Sequence, residues 1–325
     1  MRLGVLVPAV DDPTAFAVSA EKLGYESVWV PELWQESGVV RAADIAARTD
    51  SIELGTAILN VFSRTPAVLA MTAATLDRVS GGRFTLGVGT STRKSIEDLH
   101  GLSWNDPNPV RRAHETIDLT RQFLEGEGRV EYDGEVFDVQ DFPPLGREVP
   151  IYHAALGEAN RRVVARLCDG WIPHNVPFPD LPAAFDYVAE HAREAGRDPE
   201  DITVAPYVPA CVSEDGDAAR RKLREHVAYY VGSGEGYRRA VGERFDEADA
   251  VAGRWHDGER SAAADAVTDE MVAALGVGGT PEEAREQLRD LAALDAVDRP
   301  LLVVPNTAGA DLAQRTLREL SPDRL

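Results

Sequence analysis

Residues 52–92 read IELGTAILNVFSRTPAVLAMTAATLDRVSGGRFTLGVGTST. The apolar run 51–62 carries small and amide residues, Gly55-Thr56-Ala57 and then Asn60. Thr65-Pro66 supplies a cap and a first-turn proline, so AVLAMTAATLDRVS starts as a helix. Ser80-Gly81-Gly82 stops it. A second apolar run, 84–89, ends on Gly87-Val88-Gly89 and the hydroxyls of Thr90, Ser91 and Thr92. Strand, helix, strand with compact apolar strands is the pattern of a parallel sheet. Two glycines at a strand end have two readings. One is a tight turn, the other a flat or charged ligand lying against the backbone.

The alternation continues in both directions. Residues 2–8 form a first strand, and Asp12-Pro13 opens the helix after it. Residues 27–32 form a second strand, followed by a helix near 39–49. Beyond the central block, Asn108-Pro109 opens a helix that ends near Glu125. Residues 149–155, 170–175, 202–212 and 300–305 complete eight predicted strands. Thr280-Pro-Glu-Glu283 has the form of a capping box, and 310–320 is a final helix. The pattern predicts the α/β class, a (β/α)8 TIM barrel with insertions, as one domain over 1–325; a doubly wound sheet is the other arrangement the order allows. Residues 128–139 alternate around Asp133-Gly134 and read as a hairpin excursion. The charged stretch 215–275 reads as a helical insertion, which its GSGEGY run leaves free to move. A chain of 325 residues suits such a barrel.

Composition excludes several classes. Acidic residues outnumber basic ones 55 to 34, for a formal net charge of −21. Such a surface repels nucleic acid and anionic lipid. Its charge is spread along the chain, as in cytosolic proteins adapted to high salt. MRLGVLVPAV reads as a strand rather than a leader, and no apolar run approaches a membrane span. Cys168 and Cys211 lack paired-ligand spacing. A cytoplasmic protein with neither membrane nor nucleic-acid partner is expected.

The chemistry narrows similarly. The seven histidines show no i,i+2 strand pair and no i,i+4 helical pair, so no metal site is expected. Only His153 and His174 fall near strand ends. There is no Gly-x-Ser-x-Gly elbow, and the Gly87–Thr92 run lacks the last glycine of a dinucleotide fingerprint. What remains suits a flat organic ring. Gly87 and Gly89 admit close approach, and Thr90 and Ser91 offer hydroxyls. The run HAALGEANRR (153–162) opens a helix whose first N–H groups can hold a phosphate, with Arg161 and Arg162 in its first turns. Trp29, Trp34 and Trp171 offer apolar walls, though Trp29 reads first as a plain core residue. Glu32, just past an apolar strand, is either a solvated loop residue or a site acid.

These residues also carry a resemblance. ESVWVPELW (26–34), the block 52–92, RVEYDGEVFDV (129–139), PIYHAALGEANRRVVARLCDGWIPH (150–174) and GTPEEAREQL (279–288) are similar to the luciferase-like monooxygenase superfamily. Within it they resemble the coenzyme F420-dependent group that includes methylenetetrahydromethanopterin reductase-like proteins. The resemblance implies a barrel that binds a flavin or deazaflavin at the strand ends. It implies a bulge in the third strand, with a non-prolyl cis peptide at Ala57–Ile58 behind the ring. Leu59 and Asn60 would touch the ring and its edge, and Gly89, Thr90 and Ser91 would line its other side. Ala155, Leu156 and Gly157 match the phosphate-holding loop. Trp34 matches an aromatic position near the ring, and it and Glu32 are the candidate catalytic residues. Many relatives place a histidine where this chain has Glu32, and some a glutamate where it has Thr92.

Three functions follow as expectations. The first is an oxidoreductase passing hydride between coenzyme F420 and a small organic substrate. The second is an FMN-dependent monooxygenase of the same fold. The third is a flavin- or deazaflavin-binding protein without turnover. A homodimer is what relatives imply.

Overall fold

A computed structural model describes residues 1–34, 36–105 and 108–325. In chain order the first elements are β1 (Gly4–Leu6), α1 (Pro13–Lys22), β2 (Ser27–Val30), α2 (Gly38–Ala46), β3 (Glu53–Thr56), β4 (Leu59–Asn60), α3 (Pro66–Ser80), β5 (Phe84–Gly89) and α4 (Pro109–Glu125). Next come β6 (Val130–Asp133), β7 (Asp138–Phe142), β8 (Ile151–Ala154), α5 (Glu158–Leu167), β9 (Gly170–Trp171), α6 (Leu181–Glu194), β10 (Thr203–Val204) and β11 (Tyr207–Val212). Five helices follow: α7 (Gly216–Ser233), α8 (Glu235–Gly242), α9 (Glu247–His256), α10 (Arg260–Asp265) and α11 (Asp269–Leu275). The chain closes with β12 (Val277–Gly279), α12 (Pro281–Ala292), β13 (Leu301–Val303) and α13 (Gly309–Glu319). Helix starts obey their caps. Asp12 accepts the Ala15 N–H at 2.9 Å, and the Thr280–Glu283 box is closed from both sides.

Contacts divide the chain into two compact units. One holds residues 29–172 and 187–203, the other 1–28, 173–186 and 204–325. In the 29–172 unit β3, β4, β8 and β9 join β5 in a parallel sheet: β5 pairs with β3, β4 and β8, and β8 with β9. The predicted third strand, 51–62, is split. Leu54 pairs with Phe84, but Leu59 pairs with Val88. The register slips by one residue between these pairs, which is a bulge. The Ala57–Ile58 peptide within it is cis. A bulge leaves ladder groups without partners, and Thr56 supplies one. Its Oγ1 donates to the Gly87 carbonyl (2.9 Å) and accepts the Gly87 N–H (3.0 Å). A Cβ on Gly87 would stand 1.8 Å from the Thr56 carbonyl oxygen, so only glycine fits.

The Ser-Gly-Gly-Arg run after α3 is structural. Gly81 caps the helix at φ +71°. The Arg83 guanidinium donates to the carbonyls of Ser80 (2.7 Å), Thr49 (2.8 Å), Ile52 (2.5 Å) and Ala46 (3.2 Å). One cation thus closes the ends of α2 and α3.

The hairpin expected near 128–139 is present as β6 and β7, but its turn lies later than Asp133-Gly134. Asp133 pairs with Asp138, and Gly134 donates to the Phe137 carbonyl at 2.9 Å. The cause is Glu115 of α4, whose side chain is fully buried. Its carboxylate accepts the N–H groups of Glu135 (2.9 Å), Val136 (2.9 Å) and Phe137 (3.1 Å), and Arg111 pairs with it at 2.8 Å. Those three amides set the loop.

In the other unit β1 pairs with β13, β13 with β11 and β11 with β12, all parallel. The expected strand 202–212 is interrupted at Ala205-Pro206, leaving β10 and β11. β12, Val-Gly-Gly, was not foreseen, because glycine reads as a strand breaker. The 215–275 stretch is helical and has its own core, with Leu223, Val227, Val231, Val251 and Met271 buried together. Its Gly232 is a packing glycine: a Cβ there would stand 2.1 Å from the Trp255 ring.

Burial alone would raise the Glu115 carboxyl's pKa; the three amides and Arg111 outweigh it and hold it below the ordinary range. Its contribution is therefore complete above the unfolded-state value, about 4.3, and is lost as pH falls through the lower folded value. Glu115→Gln is expected to flatten this acid limb of stability in urea unfolding. Glu115→Ala should cost about 3 kcal/mol and expose the 130–142 hairpin to proteolysis first.

Candidate active site

The register of the 29–172 sheet sets the candidate site. Asn60 of β4 stands opposite Gly89 of β5, and Gly89 opposite Ala154 of β8. All three lie at the carboxyl ends of parallel strands, where barrel ligands bind. A Cβ on Gly89 would come within 3.1 Å of the Ile58 side chain and 3.4 Å of Ala154 Cβ. The glycine therefore keeps a shallow gap between Ile58 and Ala154. Ala57 is buried and donates to the Val30 carbonyl at 2.9 Å. Leu59 has no exposed surface and packs behind the strand. Ile58 keeps part of its surface.

Past Gly89 the chain turns sharply. Thr90, Ser91 and Thr92 are each partly exposed, and Ser91 has φ +63°. Thr92 is committed locally. Its Oγ1 lies 3.1 Å from Ser95 Oγ and accepts the Ser95 N–H at 3.3 Å. Its carbonyl accepts the Ile96 N–H at 3.1 Å. It starts the next turn.

Asn60 organises its surroundings. Its Oδ1 accepts the N–H groups of Phe62 (3.0 Å) and Ser63 (2.8 Å), and its Nδ2 lies 3.1 Å from His100 Nε2. Phe62 stacks on Trp104 with centroids 5.5 Å apart. Neither His100 nor Trp104 stood out in the sequence, because each meets its partner across a long loop. Asp106 and Pro107, just past Trp104, lie outside the described residues.

On β8, His153 is fully buried, with Nδ1 3.1 Å from the Val88 carbonyl and Nε2 3.4 Å from Asn160 Oδ1. Burial pushes its pKa down, against the pull of these bonds. Ala155, Leu156 and Gly157 follow as the approach to α5. Trp171 fixes this loop by donating Nε1–H to the Ala155 carbonyl at 2.7 Å. Gly157 is exposed and is the N-cap of α5, with no side chain capping the first turn. Those amides are free of side-chain acceptors, as a phosphate cradle requires. The Arg161 guanidinium lies over the Trp171 ring at 5.6 Å.

The two candidate catalytic residues differ. Glu32 is engaged in a bidentate ion pair with Arg64, at 2.6 and 2.7 Å. It also accepts the N–H of Gly38, the first residue of α2, at 2.9 Å. The pair is mostly buried, with side chains 14% and 20% exposed. The carboxylate thus ties the loop after β2 to the loop after β4. Arg64 escaped the sequence reading because a cation before a helix cap is ordinary. Trp34 is 47% exposed with φ +52°; its neighbour Gln35 lies outside the described residues.

His174 belongs to the other unit, where Tyr207, Tyr230 and Tyr237 surround it at 4.7, 4.4 and 5.1 Å between centroids. Burial holds its pKa well below the ordinary value. Among the described residues no group of His, Cys, Asp and Glu could hold a metal ion, and no helix is long and apolar enough to cross a membrane.

Comparison with known proteins gives the family and the fold class. The luciferase-like monooxygenase family model matches residues 3–297. The chain is 32% identical over 287 residues to the 5,10-methylenetetrahydromethanopterin reductase of Methanolobus tindarius, covering 85% of each protein. It is 31% identical over 229 residues to the F420-dependent glucose-6-phosphate dehydrogenase of Microbacterium testaceum, covering 64% of this chain and 66% of that one. Among solved structures it resembles the coenzyme F420-dependent tetrahydromethanopterin reductase of Methanopyrus kandleri, with a TM-score of 0.84, 25% identity, and 99% and 97% of the two chains covered. That likeness shows the fold class, the (β/α)8 barrel.

The Glu32–Arg64 pair gives a direct test of what Glu32 does. As an anchor, Arg64→Ala should lower stability by about 2 kcal/mol, and Glu32→Gln by a similar amount. The double variant should cost little more than either, giving a large coupling term in denaturant unfolding. Additive losses would separate the two residues.

Proposed function

Since the chain belongs to the luciferase-like monooxygenase family, we propose that it is a coenzyme F420-dependent oxidoreductase acting on a small organic substrate. The observation that carries this reading is the in-register row Asn60, Gly89 and Ala154, with the uncapped start of α5 just beyond it. The row is small and uncharged, which suits the face of a neutral ring. The helix start suits a phosphate. The Methanopyrus kandleri reductase and the Microbacterium testaceum dehydrogenase are named for unlike substrates but share the F420 dependence in their names, so the cofactor carries over more readily than the substrate.

The residues present fit such a group. Gly89 leaves the gap beside Ile58 that a larger side chain would fill. Thr90 and Ser91 bring hydroxyls to the same edge, and Ala155, Leu156 and Gly157 lead into the helix that would hold the phosphate. When bound, the deazaflavin supplies two-electron hydride chemistry. Ile58 and Ala154 exclude water from one face of the site, and buried His153 lies beside them on β8. Glu32, held by Arg64 and Gly38, fixes the loop that carries Trp34. We assign it to anchoring, and Trp34 to the exposed wall of the site.

We also read the protein as a cytoplasmic homodimer. Both cysteines are buried free thiols, in keeping with a reducing compartment. Helix α3 exposes Val68, Met71 and Val79 at 41%, 46% and 47%, positions that share one helical face. The acidic surface fits work in concentrated salt. Light scattering in high salt would report a dimer.

Fluorescence titration with F420 and with FMN decides the cofactor. Saturable micromolar binding of F420, with FMN weaker, is expected. Micromolar FMN binding with none of F420, together with substrate-dependent oxygen uptake on reduced FMN, would turn the assignment to a monooxygenase. Binding of F420 without reduction of any acceptor would make it a carrier.

A further inference from the structure

We propose that His100 is a positioning residue of the candidate cofactor site: as a neutral imidazole it accepts a hydrogen bond from Asn60 and so holds the Gly89–Thr92 segment in place. This rests on the cofactor reading above.

The chemistry of Asn60 fixes the tautomer of His100. Asn60 is 5% exposed. Its Oδ1 accepts two backbone N–H groups, from Phe62 and Ser63. Turning the amide over would set its NH2 against both donors, so its orientation is determined. The NH2 group therefore faces His100 Nε2 at 3.1 Å. An amide NH2 can only donate, so Nε2 must accept. The ring is then neutral, with its proton on Nδ1.

The route of the chain gives the bond its consequence. The Asn60 backbone stands in register with Gly89. From Gly89 the chain passes Thr90, the left-handed Ser91, and Thr92, which caps the next turn. That turn, Ser95–Leu99, is a wide i to i+5 helix, a form often found at functional sites. It ends with the His100 N–H donating to the Ser95 carbonyl at 3.3 Å. The end of β4 thus grips the segment twice, through the Val61 N–H donating to the Gly89 carbonyl (3.0 Å) and through the Asn60 side chain at His100. The residues between the two grips include Thr90 and Ser91. His100 is exposed, so water competes for the bond and the effect of losing it is modest.

Two measurements test this. In the cofactor-free protein, 15N NMR in mildly alkaline buffer should show His100 with its proton on Nδ1 and a bare Nε2. Asn60→Asp keeps the acceptor for Phe62 and Ser63 but offers His100 only oxygen, so the proton should move to Nε2. Coenzyme F420 affinity is the second measurement. His100→Gln retains an acceptor and should bind F420 within about twofold of the wild type. His100→Ala and His100→Arg, which have none, should bind about two- to tenfold more weakly, the range of a single hydrogen bond. Should His100→Ala fold poorly, His100→Gln and Asn60→Asp carry the comparison. A wild-type ring protonated on Nε2, wild-type affinity in His100→Arg, or a loss in His100→Gln equal to that in His100→Ala would each overturn the proposal. A wild type that binds no F420 would instead overturn the cofactor reading, while the NMR result still judges the Asn60–His100 bond.

Discussion

The hydroxyl of Thr56 bonded to both backbone groups of Gly87 is the contact on which the site depends. A one-residue slip in pairing exchanges the faces that side chains point to. The bulge after Thr56 makes that slip between Leu54–Phe84 and Leu59–Val88. It would leave two polar groups of a buried strand unpaired, and the threonine hydroxyl takes both. Because the slip is held there, β4 can pair with the end of β5 and bring Asn60 opposite Gly89. The Asn60–Gly89–Ala154 row, the gap beside Ile58 and the reach to His100 all follow from that register.

The chain also divides its labour between the two ends of its strands. Where strands begin, arginines close helix ends by donating to carbonyls. Arg83 does so before β5 and Arg197 at the end of α5, through the carbonyls of Ala165 (2.9 Å) and Cys168 (2.7 Å). Arg121 reaches the Leu167 carbonyl and Asp169, and Asp169 in turn accepts the Ile151 N–H that starts β8. A guanidinium suits this work because its donors spread in a plane and its charge opposes the negative end of a helix. Where strands end, the β4–β5–β8 row holds small and neutral groups instead. That row is shaped by glycine, alanine and asparagine.

Local signals were legible and long-range ones were not. Caps at Asp12, Thr65, Asn108 and Thr280 set four helix starts, and β5 matches its apolar run residue for residue. Gly87 and Gly89 divide as their settings dictate, one packed against a carbonyl and the other close to the Ile58 and Ala154 side chains. What the sequence left unread depends on side chains meeting distant backbone. Glu115 lies on α4, yet it sets the turn of a hairpin that follows it. Arg64 and Glu32 are far apart in sequence, and so are Asn60 and His100. β12 was hidden by its own glycines, and Gly232 looked like a flexible joint until Trp255 was seen to lie on it.

The two departures from the family pattern then take on one meaning. Where relatives have a histidine after the second strand, Glu32 is bound by Arg64 and Gly38. Where some have a glutamate after Gly-x-Gly, Thr92 caps a turn. Both positions have been given over to holding loops. A carboxylate gripped by a guanidinium at two points is a fixed anion, and a capping hydroxyl has spent its acceptor. His153 is buried. His100 is the ring that the loop-holding bonds themselves deliver to the site: Thr92 starts the turn that ends at it, and Asn60 receives it. Glu32 holds the loops after β2 and β4, and Thr92 starts the turn by which His100 arrives.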